Sequence, residues 1–271
     1  MNLLTRYGIM AQVAFAPLLV DYLVVAGGGA SVNNRSGGGG AGGYRTDTGI
    51  SLVASTNYTV TVGAGGIHST TFALTTSGSN STFSTITSNG GGNGGNAIVQ
   101  TGASGGCGGG GGSNSSTAGT GGAGNTPSTS PVQGYSGGSA STSGPNYGAG
   151  GGGGAGGVGA NGIGTSGNKA AGGIGVANSI TGFSVTYAVG GRGGNNVDTA
   201  NGLSGVANTG NGAGGTNNSY IGGDGGSGIV IIKYPSSYAL TIGGGLTSST
   251  ATSGGFKITS FTAGTGDISF T

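Results

Sequence analysis

Short runs of β-branched and aromatic residues occur at intervals along this chain. Most of these runs are bounded by glycine or asparagine. Residues 58–62 (YTVTV) alternate between apolar and polar positions, which is typical of a strand with one buried face. Residues 21–26 (DYLVVA) and 228–234 (GIVIIKY) are continuous runs, which predict strands covered on both faces. Further strands are predicted at residues 81–87, 238–242, 256–261 and 267–270, the last two forming a C-terminal hairpin around a turn at residues 263–266.

Between these strands, side chains recur at every third residue with glycine in both intervening positions. Val189, Arg192 and Asn195 give the clearest example. A polyproline-II-like helix has three residues per turn, so this spacing places the side chains on one edge and leaves two edges bare. The bare edges predict neighbouring helices, and the N–H and C=O groups must pair with them because such a helix has no internal hydrogen bonds.

The phase of this spacing resets between tracts, and turn-forming residues fill the gaps. The predicted fold is therefore all-β or irregular: a bundle or sandwich of short polyglycine-II helices bracketed by β-strands, with α-helix expected, if anywhere, in the N-terminal segment. Collagen is excluded because it carries glycine at one position in three and much proline, whereas Pro totals 5 here. We predict a docking or oligomerisation segment at residues 1–20, a glycine-rich domain at 21–234 and a strand or hairpin segment at 235–271.

Composition narrows the possible partners. Glycine contributes 74 of 271 residues, close to the level at which an unpatterned chain is disordered, but a mean hydropathy of +0.06 and 4% charged residues favour ordered packing. The net charge is +2 and the basic residues are scattered singly. Nucleic-acid binding and membrane insertion are therefore not expected, since neither clustered cations nor a long uninterrupted apolar segment is present.

Residues that could carry chemistry are few. Cys107 is the only cysteine and lies on the side-chain edge of a tract, which predicts a small packing residue. His68 is the only histidine, and the acidic residues are five aspartates far apart in sequence. We therefore expect no enzymatic activity, no cofactor and no metal site.

Four stretches in order resemble the glycine-rich domain of bacteriophage tail-fibre and adhesin proteins, common in marine phages: DYLVVAGGGA (21–30), GGGGAGGYRT (37–46), YTVTVGAGG (58–66) and GGSGIVIIKY (225–234). The resemblance covers residues 21–234. It implies a sandwich of polyglycine-II helices whose exposed loops contact host surface sugars or outer-membrane proteins. The chain departs from the family at residues 1–19, which replace a leading β-hairpin, and residues 256–270 resemble that hairpin as if the domain were circularly permuted.

The resemblance implies a non-enzymatic virion protein, a tail fibre, tip adhesin or surface fibre, that attaches to a host through many weak contacts. Loop tyrosines and asparagines are the expected receptor contacts, since Tyr offers a rigid amphipathic surface and Asn supplies hydrogen bonds. These residues are Tyr135, Asn146, Tyr147, Asn217, Asn218 and Tyr220. The alternative role for these residues is to cap the ends of the polyglycine-II helices or to anchor turns.

The C-terminal hairpin is expected to act in assembly. Its apolar residues, Phe256, Ile258, Phe261, Ile268 and Phe270, would complete the sheet near residues 21–26, in the same chain or in the next subunit. The expected partners are copies of the chain in a trimer or filament, other virion proteins, and a host glycan or outer-membrane protein. A self-assembling extracellular filament or matrix protein, built by head-to-tail strand exchange, is the alternative function.

Overall fold

The computed structural model describes residues 17–69, 76–165 and 167–271. Within these residues the chain forms strands and glycine-rich extended segments but no helix, which confirms the predicted all-β fold. The predicted docking segment lies outside the described residues up to residue 16. The strands are β1 (Leu18–Val25), β2 (Tyr44–Leu52), β3 (Tyr58–Thr61), β4 (Ser81–Phe83), β5 (Ile86–Ser88), β6 (Val176–Asn178), β7 (Val185–Tyr187), β8 (Ile229–Pro235), β9 (Leu240–Ile242), β10 (Leu246–Ser253) and β11 (Phe256–Phe270).

Nine of these strands form one antiparallel sheet, and β6 and β7 form a separate hairpin. The order in the large sheet is β2-β1-β8-β11-β3-β4-β5, and β9 and β10 also pair with β11. The sheet curls until β5 approaches β1 and β2, where the Ser88 hydroxyl donates to the Val24 carbonyl at 2.8 Å. The result is a nearly closed barrel.

The central strands are buried on both faces, as their continuous apolar runs predict. In β1, Tyr22 and Val24 point into the barrel, where they join Phe83, Phe261 and Phe270. The alternate residues of β1 and β8 pack outside the barrel, in a second cluster with Cys107 and Tyr187. This second cluster joins the barrel to the glycine-rich part of the molecule.

The structure differs from the prediction at the turn of the C-terminal hairpin and at the strand predicted over residues 81–87. β11 runs unbroken for 15 residues through the predicted turn at 263–266, and the hairpin turns instead at Gly254 and Gly255, which have φ of 55° and 81°. Two consecutive glycines at positive φ suit the tight turn that joins twisted antiparallel strands. The predicted strand 81–87 is two strands, because the chain turns at Ser84 with φ of 55°.

The strand β11 is held within its own chain. Its first half pairs with β8 and its second half with β3. Ile258, Phe261, Ile268 and Phe270 are buried, while Phe256 is 39% exposed. β8 lies between β1 and β11, so the C-terminal hairpin does not pair directly with residues 21–26 of β1.

The glycine tracts pack side by side into a raft held by backbone hydrogen bonds. Gly37, Gly40 and Gly43 donate their N–H groups to carbonyls of residues 95, 92 and 89, each at 2.8 Å. The residues next in phase, Gly38 and Ala41, donate to residues 150 and 153 of another segment. Every third residue thus faces the same neighbour, as the three-residue spacing predicts.

Segments in which glycine fills nearly all three edges occupy the interior of the raft. Segment 36–43 donates to segments 210–216, 89–95 and 150–153, and it accepts from segments 26–29, 107–110 and 191–194. It therefore has six neighbours among the described residues. Segment 187–195, with glycine at two positions in three, lies in an outer row and exposes Arg192.

The segments run alternately away from the barrel and back toward it. β1 continues into segment 26–32, and segment 36–43 returns to β2. The raft therefore has a sheet end, joined to the barrel, and an opposite end made of loops, which we call the loop end. The described loops at the loop end are residues 33–35, 97–99, 114–117, 142–147, 167–168, 196–200 and 217–220.

Candidate functional site

The loop end brings together loops that are far apart in sequence. The Asn34 N–H donates to the Asn217 carbonyl at 2.9 Å, and the Ala97 N–H donates to the Asn34 carbonyl at 3.1 Å. The Asn196 N–H donates to the Asn146 carbonyl at 3.0 Å. Because the raft fixes both ends of every loop, these loops form one continuous surface.

Tyr147 packs against a cation on this surface. The Arg35 guanidinium lies 5.3 Å from the centroid of the Tyr147 ring, within the range of a cation–π contact. Tyr147 has φ of 45°, and its carbonyl accepts a hydrogen bond from the Ser113 hydroxyl. Arg35 Nε and Asn33 Oδ1 are buried without a partner in the described part of the chain. This corner of the loop end therefore has unused hydrogen-bonding capacity.

The asparagines at the loop end differ in role. Asn217 is 8% exposed, its amide donates to the Asp198 carbonyl at 2.8 Å, and its Oδ1 accepts from the Ser219 N–H. These contacts fix the turn. Asn218 is exposed and Tyr220 is half-buried beside that turn, so both are accessible from solvent. Asn146 is also half-buried, and its N–H donates to the Gly164 carbonyl at 2.8 Å.

Tyr135 lies at the other end of the raft. It belongs to segment 133–141, near the start of that segment at the sheet end, and its N–H donates to the Gly154 carbonyl at 3.1 Å. Its side chain is 42% exposed. The structure thus gathers the other predicted receptor contacts at the loop end and separates Tyr135 from them.

Within the described residues of the glycine-rich region, two ion pairs connect neighbouring parts of the chain. Lys169 Nζ lies 2.8 Å from Asp198 Oδ1, and this pairing offsets the cost of burying the Asp198 carboxylate, which is 1% exposed. His68 Nδ1 lies 2.7 Å from Asp224 Oδ1. Partial burial tends to raise the pKa of Asp224, but hydrogen bonds from the backbone N–H and ring of His68 outweigh it and lower that pKa.

Several residues of the loop end were not predicted from the sequence. Arg35 and Asn33 were not predicted, nor were the exposed apolar residues Ile98, Val99 and Val197, which are 63%, 51% and 51% exposed. The sequence does contain a signal for these loops, because successive glycine tracts must run alternately away from the strands and back. Counting tracts from the first strand assigns every second loop to the same end.

The sequence contains one histidine, one cysteine and five aspartates as potential metal ligands. No group of three or more His, Cys, Asp or Glu residues that could hold a metal ion occurs among the described residues. Cys107 is completely buried, which confirms its prediction as a packing residue, and burial raises the pKa of its thiol to about 12. No helix in this part of the chain is long and apolar enough to cross a membrane.

A family profile described as a glycine-rich domain matches residues 10–235. No curated protein and no solved structure matches the chain.

Proposed function

Since this chain belongs to the glycine-rich domain family, we propose that it is a non-enzymatic structural protein of a bacteriophage particle. It would serve as a tail fibre, tip adhesin or surface fibre that attaches the particle to a host. The observation that carries the proposal is the gathering of remote loops on one surface, at the end of the raft farthest from the barrel. Exposed side chains on this surface, such as that of Asn218, can vary without disturbing the backbone packing that supports the loops.

The residues at the loop end suit multivalent recognition. Tyr147 and Tyr220 supply aromatic surface, Asn218 supplies an exposed amide, and Arg35 supplies a cation held over an aromatic ring. Contacts of this kind are weak singly and gain strength when several copies bind together. A host surface glycan or an outer-membrane protein is the proposed receptor, and the proposed location is the virion.

The test compares tyrosines at the two ends of the raft. A fluorescent, multimerised form of the protein is applied to a panel of Gram-negative cells and to a glycan array. We expect the double variant Tyr147→Ala, Tyr220→Ala to lose at least tenfold in binding, whereas Tyr135→Ala at the sheet end keeps it. Thermal unfolding of both variants checks that the fold is intact. Loss of binding in Tyr135→Ala alone would place the receptor site elsewhere.

A further inference from the structure

The strand β10 leaves one edge of the large sheet uncovered. Of its eight residues, LTSSTATS, all but Leu246 are exposed, so both of its faces meet solvent. It pairs only with β11. Among the described residues, no hydrogen bond from another segment reaches its outer edge. A row of N–H and C=O groups therefore remains free to pair with another strand.

The opposite edge of the same sheet is protected. Its strand β2 carries the charged residues Arg45 and Asp47. Gly49 has φ of 68°, and the Asn178 side chain of the β6–β7 hairpin bonds to the Tyr44 hydroxyl at 2.8 Å. Charges, irregularities and covering segments are the usual means of keeping an edge strand from pairing. β10 contains no charge and no proline.

We propose that β10 pairs with β10 of a second copy of this chain, antiparallel and about a two-fold axis. Charge complementarity favours a second copy of β10 as the partner. Two uncharged strands pair without like-charge repulsion, whereas a charged partner strand would find no opposite charge on β10. Its Thr, Ser and Ala side chains are small, so cross-strand pairs form without steric conflict. The two sheets then become one continuous sheet across the two copies.

The geometry restricts the register of this pairing. In an antiparallel ladder, residues that lie directly opposite each other point their side chains to the same face of the sheet. A two-fold axis therefore places one residue of β10 directly opposite its own copy. The eight residues of β10 have no central member, so the overlap is greatest, at seven residues, when Ser249 or Thr250 lies opposite its own copy.

Single-cysteine crosslinking tests the register. The Cα atoms of opposed residues lie about 4.5–5.5 Å apart, a distance that a disulfide spans. Native Cys107 is buried and does not interfere. Under a mild oxidant, either Ser249→Cys or Thr250→Cys is expected to form a covalent dimer at micromolar protein concentration, whereas Thr48→Cys on β2 stays monomeric. Equal dimer yields from all three variants, or no dimer from either β10 variant, would overturn the proposal.

A charge variant tests the interface without a covalent bond. Ser249→Lys with Ala251→Lys places like charges on facing strands and should weaken self-association at least tenfold in analytical ultracentrifugation. Both side chains are exposed, so the melting temperature should stay unchanged and show that the chain still folds. A native chain that is monomeric at every concentration, or a variant that associates as well as the native chain, contradicts the pairing. Binding of cells through the loop end is read separately, so the two proposals can fail independently.

Discussion

Side chains such as Phe83, Ile232 and Phe270 fill the barrel, whereas the backbone itself fills the raft. The barrel interior is stabilised by apolar burial and by ring contacts, among them Tyr234 and Phe270, whose centroids lie 5.1 Å apart at 77°. The raft interior has hydrogen bonds in six directions from one segment and almost no side-chain volume. One chain therefore contains two kinds of core.

Glycine acts differently in the barrel and in the raft. In the hairpin turn at Gly254 and Gly255, glycine supplies a positive φ, and added Cβ atoms would meet nothing within 4 Å. In the raft, glycine supplies space: a Cβ at Gly39 would lie 2.0 Å from the Gly29 carbonyl oxygen. The raft interior thus depends on the missing Cβ atom rather than on backbone flexibility.

The largest effect is expected from emptying the barrel. Phe83 is fully buried and its ring lies 6.2 Å from that of Tyr22. Phe83→Ala removes apolar contact and leaves a cavity, so the free energy of unfolding should fall by about 3–5 kcal/mol in chemical denaturation. Phe183→Ala is the control, because Phe183 is 80% exposed and should change stability by less than about 0.5 kcal/mol. Similar losses in both variants would mean that the barrel is not a packed core.

The next effect comes from filling the raft. Gly39→Ala places a methyl group against backbone that is held on all sides, and the free energy of unfolding should fall by about 1–3 kcal/mol or more. Gly157→Ala is the matched control, since its Cβ would meet only the Ile174 side chain at 3.4 Å. The control should be neutral or slightly stabilising, because alanine restricts the unfolded chain. If Gly39→Ala were as mild as the control, close backbone packing would not explain the raft.

A smaller effect is expected where the raft already accepts a side chain. Ala41, Ala149 and Ala213 are completely buried within it, so a methyl group fits at selected positions. Cys107→Ala should therefore keep the fold and lose only the packing of Sγ near the Gly42 carbonyl, about 1 kcal/mol by denaturant midpoint. Cys107→Leu is the opposing variant and should cost more. A loss above about 3 kcal/mol in Cys107→Ala would point to a role of the thiol beyond packing.

The sequence predicts the extended glycine-rich segments of the raft but not how they are arranged. Spacing such as that of Val189, Arg192 and Asn195 indicates how many edges are bare, and hence an outer row. A tract such as 36–43 has no phase to read, because nearly every residue is glycine. Glycine on all three edges allows this tract to lie at the centre of the raft, but it does not identify which segments surround it.

Two of the strands that were not predicted, β10 and β2, lack the usual pattern. β10 (LTSSTATS) has almost no apolar residue, and β2 (YRTDTGISL) is largely exposed, so neither shows the alternation of a half-buried strand. The turn of the hairpin depends on tertiary pairing: both residues 254–255 and residues 263–266 contain glycine, and β8 and β3 together hold β11 straight. Tyr135 and Tyr147 look alike in sequence, and only the direction of their segments separates them.

The smallest effect concerns the pair of His68 and Asp224, which ties two outer segments of the raft together. The pKa of Asp224 lies below its usual value of 3.8, so the pair contributes stability above that pH and loses it as the pH falls through the lower folded value. The carboxylate is 44% exposed, and solvent screening limits the contribution to below about 1 kcal/mol. Denaturant midpoints of the native chain between pH 6 and pH 3 should fall more steeply than those of Asp224→Asn. Parallel curves would mean that the pair adds nothing and that backbone packing alone holds these segments.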